Sequence, residues 1–359
     1  MRIAMIADAG SVHTRRWAQG LSAWGHDVQI WSPRPWDGFG EDRVHLLPPP
    51  RRFRRDVLGS ACRIRSEIKR FKPDIVHAHY ISHYGLLAAL ARLSPLVLSV
   101  WGADIECFPD RHGIFTRGLT RWILAQAEAI TCSSEYLGHL TAQYTSKPIH
   151  VIPFGIDCER FFPHPSHTGP LRFVINKALE EVYGIDMILT ALREVKGSYS
   201  GRILGEGSRE KALKSMAEKF GLDSHIHWMG KIGAEDLPDT LAWADVGLYA
   251  SKRESFGVAP LEMMALGRTV IAHRLGGLSE VIRENETGLF VEPGDINAWR
   301  QVLQWAVDNP DAVRKMGANG PSWVASRFNF HDNLTSMVKL YQSLTGAEPP
   351  SRDSAPVRA

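Results

Sequence analysis

Glu254-Ser255-Phe256-Gly257-Val258-Ala259-Pro260-Leu261-Glu262, with the run that follows it to Glu280, decides the fold. Before it, Trp243-Ala-Asp-Val-Gly-Leu-Tyr-Ala-Ser251 reads as a buried strand entering a loop. After it, residues 260–266 are a strong helix former, with Pro260 at the first turn and Gly267 as the stop. Residues 269–272 form a second apolar strand that ends at His273-Arg274-Leu275-Gly276-Gly277. Strand, loop, helix, strand and glycine loop describe an open parallel α/β sheet, which binds ligands at the carboxyl ends of its strands.

The chemistry of this stretch suits a phosphorylated sugar. Free amide N–H groups around Gly257 to Pro260, at the front of the helix, can hold phosphate or hydroxyl oxygens. Carboxylates accept hydrogen bonds from vicinal diols, and Glu262 follows Glu254 by about two helical turns. Taken singly, Glu262 reads as a solvated helix residue and Glu254 as a loop-end cap.

The whole string resembles the donor-site signature of retaining glycosyltransferases of family 4. It has two glutamates separated by seven residues, Phe-Gly between them, then Leu-Glu-Met-Met-Ala-Leu-Gly and Gly-Gly-Leu-Ser-Glu280. The resemblance implies a GT-B fold: two Rossmann-like domains facing across a cleft, with a C-terminal helix crossing back to the first domain. It places an acceptor-side domain over residues 1–155, completed by a helix near 328–345, and a nucleotide-sugar domain over 156–327.

At 359 residues the chain is comfortable for two domains with cores of their own. Charged residues are 23% and apolar ones 44%, which excludes a disordered chain. No run reaches the roughly 18 apolar residues of a spanning helix, and Met1 to Ala7 enters a strand directly, without a signal-peptide core. Cys62, Cys107, Cys132 and Cys158 are scattered, with no Cys-x-x-Cys, so reduced thiols in a cytoplasm are expected. The charge is uneven: residues 1–152 carry 19 Lys/Arg against 13 Asp/Glu, and the remainder is net acidic. No nucleic-acid partner is expected.

Along the chain, Arg2 to Ala7 is a strand, and the loop Asp8 to Arg16 leads into a helix bearing Trp17, Leu21 and Trp24 on one face. The family usually has a glycine pair in this loop, and here only Gly10 stands. Gly10, Ser11, His13 and Arg16 are acceptor-side candidates, against a reading as a plain capping loop. Residues 32–55 show no helical or strand period and read as a long loop. From Asp56, the residues Val57, Ala61, Ile64, Ile68 and Phe71 repeat at four and three, an amphipathic helix dense in arginine from Arg51 onward. Weak peripheral contact with an anionic membrane competes there with a crossover helix packed on the sheet.

His77, His79 and His83 could suggest a metal by composition, but no carboxylate accompanies them and none is expected. His79 is instead a strand-end residue on the acceptor side. Trp101-Gly102-Ala103-Asp104 stands where many members of the family carry a histidine motif. Trp101 cannot act as a base, so Asp104 becomes the candidate for orienting a sugar or acceptor hydroxyl, against a reading as a helix N-cap.

Residues 171–175 open the second sheet. Family members place an Arg and a Lys after this strand to grip the donor diphosphate; here Lys177 supplies one cation, and Tyr183 occupies the second position. Lys252, Arg253 or Arg16 could compensate. Gly205 follows the next strand, and the resemblance puts the nucleotide base near Met229 and Gly230. Asp104, Lys177 and Glu254 are thus the catalytic candidates. Lys177, Tyr183, Gly205, Met229, Gly230, Glu254, Ser255, Phe256, Gly257, Val258 and Glu262 are the donor-binding candidates. Helices are expected over 297–308, 311–318 and about 328–344, with a polar tail from Gly346 that reads as disordered. A nucleoside diphosphate sugar, UDP- or GDP-linked, is the implied donor substrate, with no cofactor and an unspecified hydroxyl acceptor. A nucleotide-sugar epimerase of the same fold and a non-catalytic relative remain as alternatives.

Overall fold

The computed structural model describes residues 1–40, 42–47 and 57–346. Arg51, Arg52, Arg54, Arg55 and Asp56, and the tail 347–359 expected to be disordered, lie outside the described residues. The chain forms two compact units, Met1–Phe154 with the chain from His331 onward, and Gly155–Phe330.

The first unit is built on seven strands: β1 (Arg2–Ile6), β2 (Asp27–Ser32), β3 (Val44–Leu46), β4 (Ile75–His79), β5 (Leu96–Val100), β6 (Ala129–Cys132) and β7 (Ile149–Val151). Their order is β3-β2-β1-β4-β5-β6-β7, and every pair is parallel. β4 and β5 are buried at every position, as strands covered by helices on both faces must be. The helix Val57–Phe71 supplies Ala61, Ile64, Ile68 and Phe71 to the core that also holds Ala4, Ile6, Val76 and Leu98. Its apolar stripe is therefore a sheet contact.

The long loop expected over 32–55 needs correction. It contains a short 3-10 turn, Asp37–Phe39, and the edge strand β3, whose Val44 pairs with Ile30 and whose His45 pairs with Trp31. Three residues are too few to show a period. The strand exists because β2 offers it a ladder and the His45 ring stacks on Trp31 at 4.5 Å.

The last helix, Phe330–Thr345, is anchored to the first sheet by a buried polar chain. Tyr341 Oη lies 2.6 Å from His77 Nδ1, His77 Nε2 lies 2.6 Å from Ser99 Oγ, and Ser99 Oγ lies 2.6 Å from Thr131 Oγ1. Burial pushes the His77 pKa down to about 3, so the ring is neutral. Tyr341→Phe removes the hydroxyl and leaves the Nδ1 side of a buried imidazole without its partner. The expected cost is about 1 to 3 kcal/mol, seen as a Tm several degrees lower in a thermal melt; an unchanged Tm would remove this chain from the stability of the unit.

The second unit has six strands: β8 (Leu171–Asn176), β9 (Tyr199–Leu204), β10 (Ile226–Gly230), β11 (Val246–Tyr249), β12 (Thr269–His273) and β13 (Gly288–Val291). They run parallel in the order β10-β9-β8-β11-β12-β13. The helix Ile185–Leu192 and the helix Ile296–Asp308 bury Ile188, Leu192, Trp299 and Leu303 in one core. A helix over Gly320–Arg327 is present where none was expected. Its opening Gly-Pro resembles a breaker, but proline is compatible with a first turn. Gly320 also lets the backbone close on Met264, whose carbonyl oxygen would stand 2.4 Å from an added Cβ.

In each sheet the chain order reverses once, between β1 and β4 and between β8 and β11. Such switch points open a crevice at the carboxyl ends of the flanking strands, where ligands of open α/β sheets bind.

Candidate functional site

In the second unit, β8 ends at Asn176 and delivers Lys177, while β11 ends at Tyr249 and delivers the loop Ala250–Gly257. Lys177 Nζ lies 2.5 Å from Glu254 Oε2, and both side chains are largely buried, at 11% and 15% exposure. Ser251 Oγ donates to the same Glu254 oxygen at 3.3 Å. Nζ also lies 5.0 Å from the Tyr183 ring centre and 5.7 Å from that of Tyr249, so two aromatic faces hold the ammonium in place.

Tyr249 is the hinge of the arrangement. Its hydroxyl sits 2.6 Å from Asn176 Oδ1 and 3.0 Å from the Ala259 carbonyl. Burial raises its pKa well above the ordinary tyrosine value, and the nearby Glu262 and Glu254 carboxylates add to that rise. The two glutamates are thus gathered about one neutral phenol. Glu262 is buried on the helix Val258–Ala265, which opens at Gly257 in the left-handed region with φ 114°. Ser255 and Val258 are half-buried beside that opening. Phe256 is 2% exposed and packs edge-on against Phe328, which makes it a core residue of the loop.

The loop is pinned from behind by residues that local sequence gave no reason to select. Trp299 Nε1 donates to His273 Nε2 at 2.9 Å, which places the ring proton on Nδ1, 2.9 Å from the Ser251 carbonyl. Gly277 donates its N–H to the Glu254 carbonyl at 2.9 Å. The Gly205 backbone lies so close to Lys177 that an added Cβ would stand 2.1 Å from its carbonyl oxygen. Gly205 in turn donates to the Gly230 carbonyl at 2.7 Å, which brings the half-exposed Met229 and Gly230 beside it. Lys252 pairs with Glu181 at 3.1 Å on the surface, and with Arg253 it lines a neighbouring cavity of about 560 Å³.

In the first unit a cavity of about 620 Å³ lies at the ends of β1, β4 and β5, lined by Asp8, Ser11, Thr14, Arg34, His79 and Trp101 among others. Asp8 and Arg34 form an ion pair, and Asp8 also accepts from the Gly10 N–H at 2.8 Å. Gly10 sits beneath the Arg34 guanidinium, which an added Cβ would push aside. His13 stacks on Phe154 at 4.1 Å, and the Trp101 ring approaches Phe154 at 5.1 Å and His79 at 4.2 Å. Burial, together with His77 and His13, holds the His79 pKa well below its ordinary value. His79 Nδ1 is 3.5 Å from Thr14 Oγ1, and its buried Nε2 has no hydrogen-bond partner among the described residues. A neutral imidazole accepts a hydrogen bond at whichever ring nitrogen carries no proton. Arg16 is half-buried on the helix Val12–Ala23 and does not line this cavity. Arg34 and Tyr84, which do, lie in stretches whose local sequence carries no signal.

Asp104 has a different surrounding from the one expected. It is 1% exposed, and its carboxylate accepts from the N–H groups of Ile81 at 2.9 Å, Gly102 at 2.8 Å and Trp101 at 3.1 Å. Burial pushes its pKa up to about 6 against the opposing pull of those amides. Its contacts tie the Trp101 loop to the start of the segment after β4. Among the described residues there is no group of three or more His, Cys, Asp or Glu placed to hold a metal. No described helix is long and apolar enough to cross a membrane.

Residues 159–323 match the family model described as glycosyl transferases group 1, and residues 2–134 the one described as glycosyl transferase 4-like. The chain is 24% identical over 310 residues to an uncharacterized glycosyltransferase, MJ1178, of Methanocaldococcus jannaschii, covering 84% of this chain and 85% of that one. Its fold is similar to that of sucrose-phosphate synthase from Thermosynechococcus elongatus, with TM-score 0.82, 20% identity, and 97% and 100% of the two chains covered. It is also similar to that of Anabaena Alr3699/HepE in complex with UDP, with TM-score 0.80, 16% identity, and 96% and 100% covered. Two parallel Rossmann-like sheets with these likenesses are a GT-B fold.

Proposed function

We propose, from the matches of residues 159–323 to the group 1 glycosyl transferase model and of residues 2–134 to the glycosyl transferase 4-like model, that this chain is a retaining glycosyltransferase of family 4. It moves a sugar from a UDP- or GDP-linked donor to a hydroxyl of a glycan, a lipid-linked glycan or a secondary metabolite, in the cytoplasm and without a metal. The observation that carries this reading is the Lys177–Glu254 pair at the β8/β11 switch point, beside the opening of the helix Val258–Ala265. A cation, free helix amides and two carboxylates meet there, which are the groups a sugar diphosphate needs. That HepE, a protein of the same fold, is seen with UDP supports the donor class.

In the reaction the bond from the anomeric carbon to the diphosphate breaks, and the acceptor oxygen bonds that carbon on the face just vacated. The acceptor proton passes to a leaving phosphate oxygen. Charge grows on the diphosphate as the bond stretches, and Lys177 with the amides near Gly257 and Val258 stabilises it. Glu254 holds donor-sugar hydroxyls and Glu262 the ribose diol. On the acceptor side, the His79 and Trp101 surroundings receive the hydroxyl, and Asp104 acts through the Trp101 loop as a positioning residue.

The test is a thermal-shift screen over nucleotide sugars, then turnover with and without candidate acceptors, with the anomeric configuration of the product read by NMR. Acceptor-dependent transfer with retention is expected. Inverted product overturns the mechanism, epimerised donor without acceptor points to an epimerase, and binding without turnover points to a non-catalytic relative.

Glu262→Ala is expected to weaken donor binding by about 1.5 to 3 kcal/mol, the scale of a charge-assisted hydrogen bond, while slowing the bound-state chemistry little. The ribose is remote from the bond that breaks. Unchanged donor affinity in titration calorimetry would take Glu262 out of the site.

A further inference from the structure

We propose that His273 is a positioning residue for the donor sugar. Through the Ser251 carbonyl it holds the Ser251 hydroxyl on Glu254 Oε2, so that Glu254 Oε1 is presented to a sugar hydroxyl. This role rests on Glu254 being a ligand of the donor sugar.

The contacts start in the core of the second unit. Asp295 caps the helix Ile296–Asp308, its side chain accepting from the Ala298 N–H at 2.8 Å, which fixes Trp299 at the start of that helix. Trp299 is fully buried, and its Nε1 donates to His273 Nε2. An indole N–H can only donate, so Nε2 carries no proton. Burial holds the His273 pKa below its ordinary value, and the single proton of the neutral ring is therefore on Nδ1. It goes to the Ser251 carbonyl, two residues past the end of β11.

Ser251 is itself fully buried, and its hydroxyl reaches Glu254 Oε2 at 3.3 Å. That is long for an O–H···O bond, so a small retreat of Ser251 breaks it. Lys177 Nζ takes the same oxygen at 2.5 Å. Both bonds fall on Oε2, and among the described residues none falls on Oε1. Two donors on one oxygen resist rotation of the carboxylate and leave Oε1 to accept from a ligand. The neighbouring ties hold other points of the loop: Lys252 donates its N–H to the Val182 carbonyl at 2.7 Å, and Gly277 donates to the Glu254 carbonyl at 2.9 Å. His273 acts at Ser251, the residue whose hydroxyl touches the carboxylate.

Titration calorimetry of the intact protein with UDP and GDP, and with UDP-glucose and GDP-mannose, tests this. Comparing each conjugate with its nucleotide isolates what the sugar adds. His273→Gln puts an amide where Nε2 stands, able to accept from Trp299 but not to donate to Ser251. His273→Asn puts one where Nδ1 stands and keeps that donor. His273→Gln and Ser251→Ala are expected to weaken the conjugate by about tenfold and the nucleotide by less than about twofold. His273→Asn should stay within about threefold of wild type for both. Ser251→Ala keeps the carbonyl bond and should melt close to wild type, so its loss cannot come from misfolding. A histidine that only satisfied a buried carbonyl would lower the Tm when replaced and leave the sugar's share of binding alone. Wild type binding neither conjugate, or Glu254→Gln binding the conjugate as tightly as wild type, overturns the donor reading of Glu254 and this role with it. If Glu254→Gln weakens the conjugate, three results overturn the role of His273 alone. These are His273→Gln or Ser251→Ala binding it like wild type, His273→Asn losing as much as His273→Gln, or equal losses for nucleotide and conjugate.

Discussion

Lys177→Ala is expected to lower kcat by about a hundredfold or more, the scale of losing one oriented group that faces a developing anion. Lys177 and Glu254 are paired at 2.5 Å in a largely buried setting, so the substitution has two consequences. It removes the cation nearest the switch point, and it leaves the Glu254 carboxylate without its partner, facing an incoming diphosphate of the same sign. The loss should appear in kcat, because phosphate charge grows on the way to the transition state. Tyr183→Phe should cost much less, since the Tyr183 ring, 5.0 Å from Nζ, is retained. Tyr183→Lys, which restores the commoner pair of cations, should be tolerated. A double-mutant cycle with Glu254→Gln separates the two consequences: if unpaired Glu254 contributes, the second substitution recovers part of the loss. Near-wild-type kcat for Lys177→Ala would mean that the diphosphate is held elsewhere, with Arg253 and Arg16 the next to test.

Gly205→Ala should reduce kcat/KM by about a hundredfold, although no atom of Gly205 beyond its backbone exists to touch a ligand. With φ at 131° and the Lys177 carbonyl 2.1 Å from the position of a Cβ, the methyl group can be accommodated only by moving the backbone that carries Lys177. A displacement of about 1 Å is enough for a loss of that size. Gly221→Ala serves as the control. Gly221 also has positive φ, 69°, but nothing lies within 4 Å of an added Cβ, so that variant should lose some stability and keep its turnover. If Gly205→Ala matched Gly221→Ala in kcat/KM, Gly205 would have no part in placing Lys177.

The strands β11 and β12, and the helix between them, are legible in the chain because their signals are local: apolar runs, a proline at a first turn, a glycine at a stop. The same holds for the helix Val57–Phe71, whose four-three spacing is the periodicity of its buried face. Some elements were not legible. β3 has three residues and is held by its neighbour β2, and the helix Gly320–Arg327 begins with residues that read as a break. The candidate site divides the same way. Lys177, Glu254 and Glu262 stand out through the resemblance to the family-4 donor-site pattern, and Asp104 through its place after the strand where that family carries its histidine motif. Of the three backbone amides that the Asp104 carboxylate accepts from, that of Ile81 belongs to a different element, 23 residues away.

The amino-acid sequence by itself determined two parallel α/β units, the glycine loops at the strand ends and the chemical types gathered at the second switch point. Only the tertiary structure decided that Lys177 meets Glu254 across 77 residues, that His273 and Trp299 hold the loop between them from behind, and that Tyr341 reaches His77 across 264. Periodicity and turn chemistry act between residues a few positions apart, where the covalent chain sets the geometry. An ion pair or a buried hydrogen bond needs atoms within a few ångströms, and for residues so far apart in the chain that distance is set by strand order and by what the core excludes.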